Sequence, residues 1–191
     1  MIDDYRTERL ILRPLSLDDL DDYHRVYGDP RTWEHLPSGR HTELADSERA
    51  IRASIDSRNE YGFAHGAVLL REPVSNLEAG RFLGSAGAKM LDVDAWNLGY
   101  RFAPEAWGHG FATEAGIAAL ALARTARPET PVTARVLANN PSSIRVLERI
   151  GLEVRWRGRS AHAGDTTHLE RLVFADRALD DATLEAVIAL G

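Results

Sequence analysis

The chain has 191 residues, 44% of them hydrophobic and 27% charged, proportions that fit one compact domain with a sizeable core and exclude disordered or collagen-like architectures. A formal charge of −6, from 29 acids against 23 bases, disfavours bulk nucleic-acid binding, because phosphate backbones select cationic surfaces. With no cysteine in the sequence, disulfides, thiolate nucleophiles and cysteine-ligated zinc are excluded together.

No apolar run approaches the roughly 18 residues that a membrane-spanning helix needs. The opening Met1-Ile2-Asp3-Asp4-Tyr5-Arg6 is acidic rather than basic-then-apolar, so a cytoplasmic protein with no membrane partner is expected. Arg9-Leu10-Ile11-Leu12-Arg13-Pro14 reads as a first strand stopped by proline. Ser16 and Asp19 resemble a capping box for a helix with Leu17, Leu20 and Tyr23 on one face, ended by Gly28-Asp29-Pro30. A second helix is predicted over 43–58, with Leu44, Ile51 and Ile55 as its buried stripe, and 33–39 between them as loop. Strand-like runs at 61–71, 81–91 and 96–103 form an antiparallel meander, broken by Pro73, Asn76 and Gly80 and by a turn at 92–95. Residues 112–127, apolar almost all round, predict a helix buried against the sheet.

A strand at 132–138 follows, then a helix over 141–150 with clear punctuation: Asn140 as N-cap, Pro141 at the first position, Gly151 just past the end. Closing strands near 152–158 and 168–176, joined by a loop at 160–167, complete the sheet, and a tail helix with Leu184, Val187 and Ile188 docks outside. The pattern predicts an α/β fold around a mixed, largely antiparallel sheet.

The stretch richest in chemistry is Pro104-Glu105-Ala106-Trp107-Gly108-His109-Gly110-Phe111-Ala112-Thr113-Glu114. A glycine-containing loop between strand and helix start can turn consecutive backbone N–H groups toward an anion, with the helix dipole adding a favourable field. A plain structural turn explains the glycines equally well, so the neighbours must decide. The Gly-Lys-Ser/Thr triplet of a nucleotide P-loop is absent, and a dinucleotide-binding turn would need glycine where Thr113 stands and an acid where Ala138 and Asn139 lie.

Three segments together resemble the GNAT superfamily of N-acetyltransferases, in the branch similar to enzymes that acetylate ribosomal-protein N-termini. They are Thr7-Glu8-Arg9-Leu10-Ile11-Leu12-Arg13-Pro14, then Gly99-Tyr100-Arg101-Phe102 with Pro104 and Trp107 to Ala115, then Asn140-Pro141-Ser142-Ser143-Ile144-Arg145-Val146-Leu147-Glu148-Arg149-Ile150-Gly151-Leu152. The resemblance implies a single domain over 1–191, with a core of about 6–176 and about seven strands flanked by about four helices. It implies acetyl-CoA as co-substrate. The family's phosphate pattern, Gln/Arg-x-x-Gly-x-Gly/Ala, maps onto Trp107, Gly110 and Ala112, Trp107 departing from the polar first position as is typical of this branch. By that mapping the N–H groups of Gly108, His109, Gly110, Phe111, Ala112 and Thr113 hold the CoA diphosphate. Phe102 and Ala103 offer main-chain groups to the pantetheine arm as an added strand would. Asn140 and Ser143 match positions that touch pantetheine, with helix capping as a concurrent role for Asn140.

The implied reaction is direct acetyl transfer to an amine through a tetrahedral oxyanion. A bulge in the strand before the loop, near Tyr100 to Phe102, would free the stabilising N–H. Many relatives carry glutamate where this chain has Asn97, and a neutral amide is too weak a base. Either Glu34, His35 or a water chain serves as base, or the acceptor needs little help. Deprotonating a lysine side chain at pH 7 costs about 4.6 kcal/mol, against about 1.1 kcal/mol for an α-amine. The second possibility favours a protein or peptide α-amine or a small amine of similar acidity as acceptor. Ser143 is the candidate proton donor to the leaving thiolate, the tyrosine often used on that helix being absent.

The seven histidines show no metal-binding spacing, so no metal is predicted. Arg155, Arg157 and Arg159 alternate and would share one strand face. The chain is expected to act as a monomer or homodimer. A CoA-binding sensor that keeps the fold without turnover is the alternative that Asn97 leaves open.

Overall fold

The computed structural model describes residues 4–159 and 169–190. Strands β1 (Tyr5–Arg6), β2 (Leu10–Pro14), β3 (Gly66–Leu70), β4 (Phe82–Met90), β5 (Trp96–Phe102), β6 (Val132–Leu137), β7 (Glu153–Arg159) and β8 (Glu170–Ala175) form one sheet in the order β1-β2-β3-β4-β5-β6-β8-β7. Every neighbouring pair is antiparallel except β5 and β6. That parallel step requires a crossover, which α3 (Phe111–Ala126) supplies.

Strand alternation sorts the side chains between two faces. On one, Trp96, Leu98, Val132, Ala134, Leu172 and Phe174 pack against α3 and α4 (Pro141–Arg149), through Ala119, Ala123, Leu147 and others. Val68, Leu83 and Phe102 continue that layer against Phe111, Ala115 and Ala118. On the opposite face, Ala67, Leu69 and Phe82 meet Tyr23 and Val26 of α1 (Leu20–Tyr27) and Ile51 of α2 (Leu44–Tyr61). The tail helix α5 (Asp181–Ala189) docks on Val173 and Trp156 through Leu184, Val187 and Ile188, as its pattern predicts. Among the described residues these two helix groups leave no helix on this face over β5 and β6, where the Trp33 loop lies on Arg101 and the His65 ring on Gly99.

Several local expectations need correction. Leu17 and Leu44, placed on buried stripes by spacing, are 38% and 45% exposed. Leu17 belongs to a 3₁₀ turn ahead of α1, and Leu44 is the first residue of α2, so neither shares the register of the helix body. Ile117 of the nearly all-apolar α3 is 53% exposed. The two-residue β1 escaped the pattern because it is too short to show alternation. A register shift between Val154 and Trp156 breaks the arginine stripe of β7, and Arg155 pairs with Glu153 at 2.9 Å and Arg157 with Glu170 at 2.5 Å. The predicted loop at 160–167 lies outside the described residues.

Candidate active site

The turn between β5 and α3 is held open by two glycines in left-handed conformation, Gly108 at φ +82° and Gly110 at φ +80°, a region that costs an L-residue about 1–2 kcal/mol. The N–H groups of Thr113 and Glu114 return to the Gly110 carbonyl at 3.1 and 3.2 Å. Those of Gly108, His109, Gly110, Phe111 and Ala112 donate to no acceptor among the described residues. Five consecutive donors at the positive end of a 16-residue helix make a seat for an anion.

The seat is braced from the first strand. Arg9 donates to the His109 carbonyl at 2.9 Å and to Glu114 at 2.8 Å through Nε, and its guanidinium lies 5.0 Å from the centre of the buried Phe111 ring. Thr7 Oγ1 and the Arg9 N–H also donate to Glu114, at 2.5 and 2.8 Å. Burial would raise the Glu114 carboxyl, but these bonds outweigh it and hold the group below its usual range. The stabilisation is therefore full at neutral pH and lost as the pH falls through that lowered value. The opening motif Thr7-Glu8-Arg9 thus clamps the anion loop.

Beside the seat the sheet comes apart. The β5–β6 ladder lasts two pairs, Trp96 with Val132 and Asn97 with Thr133, although both strands run on. Toward β4, by contrast, β5 is paired in unbroken register from Trp96 to Phe102. The expected bulge near Tyr100 to Phe102 is therefore absent; divergence from β6 frees the backbone instead. Alternation turns the N–H and C=O of Tyr100 and the N–H of Phe102 into the gap. The neighbouring groups are engaged: Ala103 N–H donates to Leu83 O at 2.8 Å, Ala103 O accepts from Ala106 N–H at 2.9 Å, and Phe102 O accepts from the Trp107 indole at 2.9 Å. Trp107, half exposed, seals the strand end with its indole nitrogen. Of the main-chain groups assigned to a pantetheine arm, Phe102 N–H is the one left available.

Across the gap stands the start of α4. Asn140 Oδ1 accepts from Ser143 N–H at 3.1 Å, the cap its sequence predicts, and the Tyr100 hydroxyl donates to Ser143 O at 3.1 Å. Burial pushes the Tyr100 phenol above its usual value, a bond to Ser143 opposing, so it stays protonated. Asn97 Oδ1 accepts from Arg135 Nε at 3.3 Å.

The open face carries the other candidates. His35 is half-buried, its carbonyl accepting from Asn139 Nδ2 at 3.1 Å, which ties its loop to the turn before α4. Burial, then the charge of Arg101, push the His35 imidazole below its usual value, leaving it neutral at pH 7. Glu34, next to it, is exposed and makes no hydrogen bond among the described residues. Arg101 anchors the whole loop: its guanidinium lies 3.3 Å from the Trp33 ring centre and 5.5 Å from that of Tyr27, and it donates to Thr32 O. Trp33 in turn rests on Gly39, where a Cβ would come within 2.2 Å of the ring. Sequence reasoning passed over Arg101 although it lies inside a quoted motif. It also missed His65, whose carbonyl accepts from Ser54 and whose imidazole is driven to about 4 by burial, aided by Lys89. A histidine inside the strand-like run 61–71 was the available signal. Among the described residues no group of three His, Asp or Glu side chains is placed to hold a metal ion, and no helix is long and apolar enough to cross a membrane.

The chain belongs to the GNAT acetyltransferase family: residues 9–153 match the family model of the Acetyltransferase (GNAT) domain. It is 24% identical over 149 residues to an uncharacterized N-acetyltransferase, p20, of Bacillus licheniformis, covering 77% of this chain and 80% of that protein. Its fold matches that of a GNAT-family acetyltransferase from Bacillus anthracis with a TM-score of 0.73 at 18% identity, over 90% of this chain and 96% of the other. It also matches RimL, a ribosomal L7/L12 α-N-protein acetyltransferase solved in complex with coenzyme A, with a TM-score of 0.69 at 14% identity, over 91% and 96%.

Proposed function

We propose that the chain is an N-acetyltransferase that moves the acetyl group of acetyl-CoA directly to an amine, with a peptide α-amine or an amine of similar acidity as acceptor. The observation that carries this reading is a juxtaposition: five N–H groups at the start of α3 with no acceptor among the described residues, beside a strand edge left unpaired by the β5–β6 divergence. The donors suit a diphosphate, and the open edge suits an amide-bearing chain laid beside β5. A relative in fold, RimL, was solved with coenzyme A.

Bound acetyl-CoA supplies an activated thioester. Gly108 to Ala112 hold the diphosphate, with the Thr113 hydroxyl adjacent. The Tyr100 and Phe102 N–H groups face the position where negative charge builds on the acetyl oxygen. Tyr100, kept protonated by burial, and Ser143 stand where a departing thiolate needs a proton. Neutral His35 takes the proton from the acceptor. Asn97 orients through Arg135 rather than acting as base. The cations of the open face add a further effect, since positive charge nearby lowers an amine's pKa and enlarges its nucleophilic fraction.

Thiol release from acetyl-CoA, followed across pH with peptide α-amines and with lysine side chains, tests the reading. kcat/KM should climb with a limb near the free α-amine value of about 7.8, with α-amines ahead at pH 7. No limb from His35 should appear above its ordinary value. Faster turnover of lysine side chains at neutral pH contradicts the acceptor assignment. Tight CoA binding with no thiol release for any amine favours the sensor.

A further inference from the structure

The open face has a one-sided charge. Pairing of Lys89 with Asn97, Asn97 with Thr133, and Leu137 with Arg171 places Lys89, Asn97, Arg101, Thr133, Arg135 and Arg171 on the same side of the sheet. Strands β4, β5, β6 and β8 contribute four cations to that side and no carboxylate, in a chain whose formal charge is −6. Arg101 is committed to the Trp33 loop. Arg135 and Arg171 are both half-buried. Burial, then the charge of Arg171, lowers Arg135, and burial lowers Arg171. Among the described residues the Arg171 guanidinium makes no hydrogen bond or ion pair. Following the register past Thr133, Arg135 stands level with Gly99, and Arg171, opposite Leu137, level with Arg101. Arg135 therefore stands on the β6 rim of the gap, on the Tyr100 side of the two-pair ladder, and Arg171 one strand behind it on β8.

We propose that Arg135 and Arg171 form an anion-recognition subsite for the acceptor, so that preferred acceptors carry a carboxylate close to the reacting amine. This rests on the acetyl-transfer reading for the word acceptor, and on register and charge for the anion. A forked guanidinium suits a carboxylate, which accepts two parallel hydrogen bonds. The carboxylate has two sources: an acidic side chain following a peptide's N-terminal residue, or the α-carboxylate of a free amino acid.

The test is calorimetric binding to the full chain saturated with CoA, so that no turnover intervenes. One arm compares C-terminally amidated Ala-Glu-Ala, Ala-Gln-Ala and Ala-Lys-Ala; the other compares alanine with alaninamide. The expected result is an acid-over-neutral preference of about tenfold or more in at least one arm, with the lysine peptide weakest and the preference shrinking at high salt. Whichever arm shows it identifies the source of the carboxylate. In Arg171→Gln the preference should fall to within about threefold. A wild-type ratio near one in both arms overturns the proposal, whether or not the variant folds. A preference that persists undiminished in Arg171→Gln overturns the assignment to this pair. Thiol release with the same compounds separates the two readings: a binding preference without any release removes acetyl transfer and leaves the subsite standing.

Discussion

The two sides of the β5–β6 gap are made of different materials. Toward α3, the proposed co-substrate recognition rests on backbone: consecutive N–H groups, two left-handed glycines and a brace from Arg9 and Glu114. Toward the opposite face the proposed acceptor recognition rests on side chains brought from β5, β6, β8 and the loop before α2, with Arg101, Arg135, Arg171 and His35 as the main participants. A backbone seat depends on local dihedral angles and hardly on side-chain identity. A side-chain face depends on register between distant segments and can change one residue at a time. The division allows the common co-substrate to be held constant while acceptor choice varies, as expected where loops and faces carry specificity on a fixed scaffold.

That division can be broken by substitutions that should act on one side alone. The largest expected effect belongs to Gly110→Val, because a β-branched residue is a strong outlier at φ +80° and must turn the first N–H groups of α3 away. Acetyl-CoA affinity should fall by about a hundredfold, equivalent to about 2.7 kcal/mol, while the fold survives by circular dichroism. A smaller effect is expected from Arg101→Met, which removes the stack on Trp33, worth about 1–2 kcal/mol, and loosens the His35 loop. Acceptor KM should rise by about tenfold and the His35 titration should move back up, with CoA affinity within about twofold of wild type. Equal loss of CoA binding in both variants would show the two sides to be one coupled unit.

The sequence exposed the backbone side far better than the side-chain side, for a physical reason. Trp107 to Thr113 and Asn140 to Ser143 are contiguous, and their signals are glycine, proline and capping residues whose conformational preferences act locally. The Asn140 cap, Pro141 and the α3 boundary could therefore be read within one residue. The origin of the free Tyr100 N–H was misread, because a bulge and a strand divergence leave the same local sequence. Only pairing with β4 and β6 tells them apart, and the β6 partner lies some thirty residues on. Arg101, Arg135 and Arg171 each sit in ordinary strand sequence, and their common face exists only once three strands are in register. Glu34 and His35 looked equivalent as neighbours in one loop. Tertiary packing separates them, leaving Glu34 exposed and His35 half-buried near Arg101.

The central claim is that the bend from Gly108 to Ala112 seats the diphosphate of a thioester carrier. Calorimetric titration of the wild-type chain and Gly110→Val with acetyl-CoA and with acetyl-pantetheine, which lacks the diphosphate, addresses it most directly. The account predicts that acetyl-CoA binds wild type about a hundredfold or more tighter than acetyl-pantetheine, and that this gap collapses in the variant. Equal affinity for the two compounds in wild type, or no uptake of either, would contradict it.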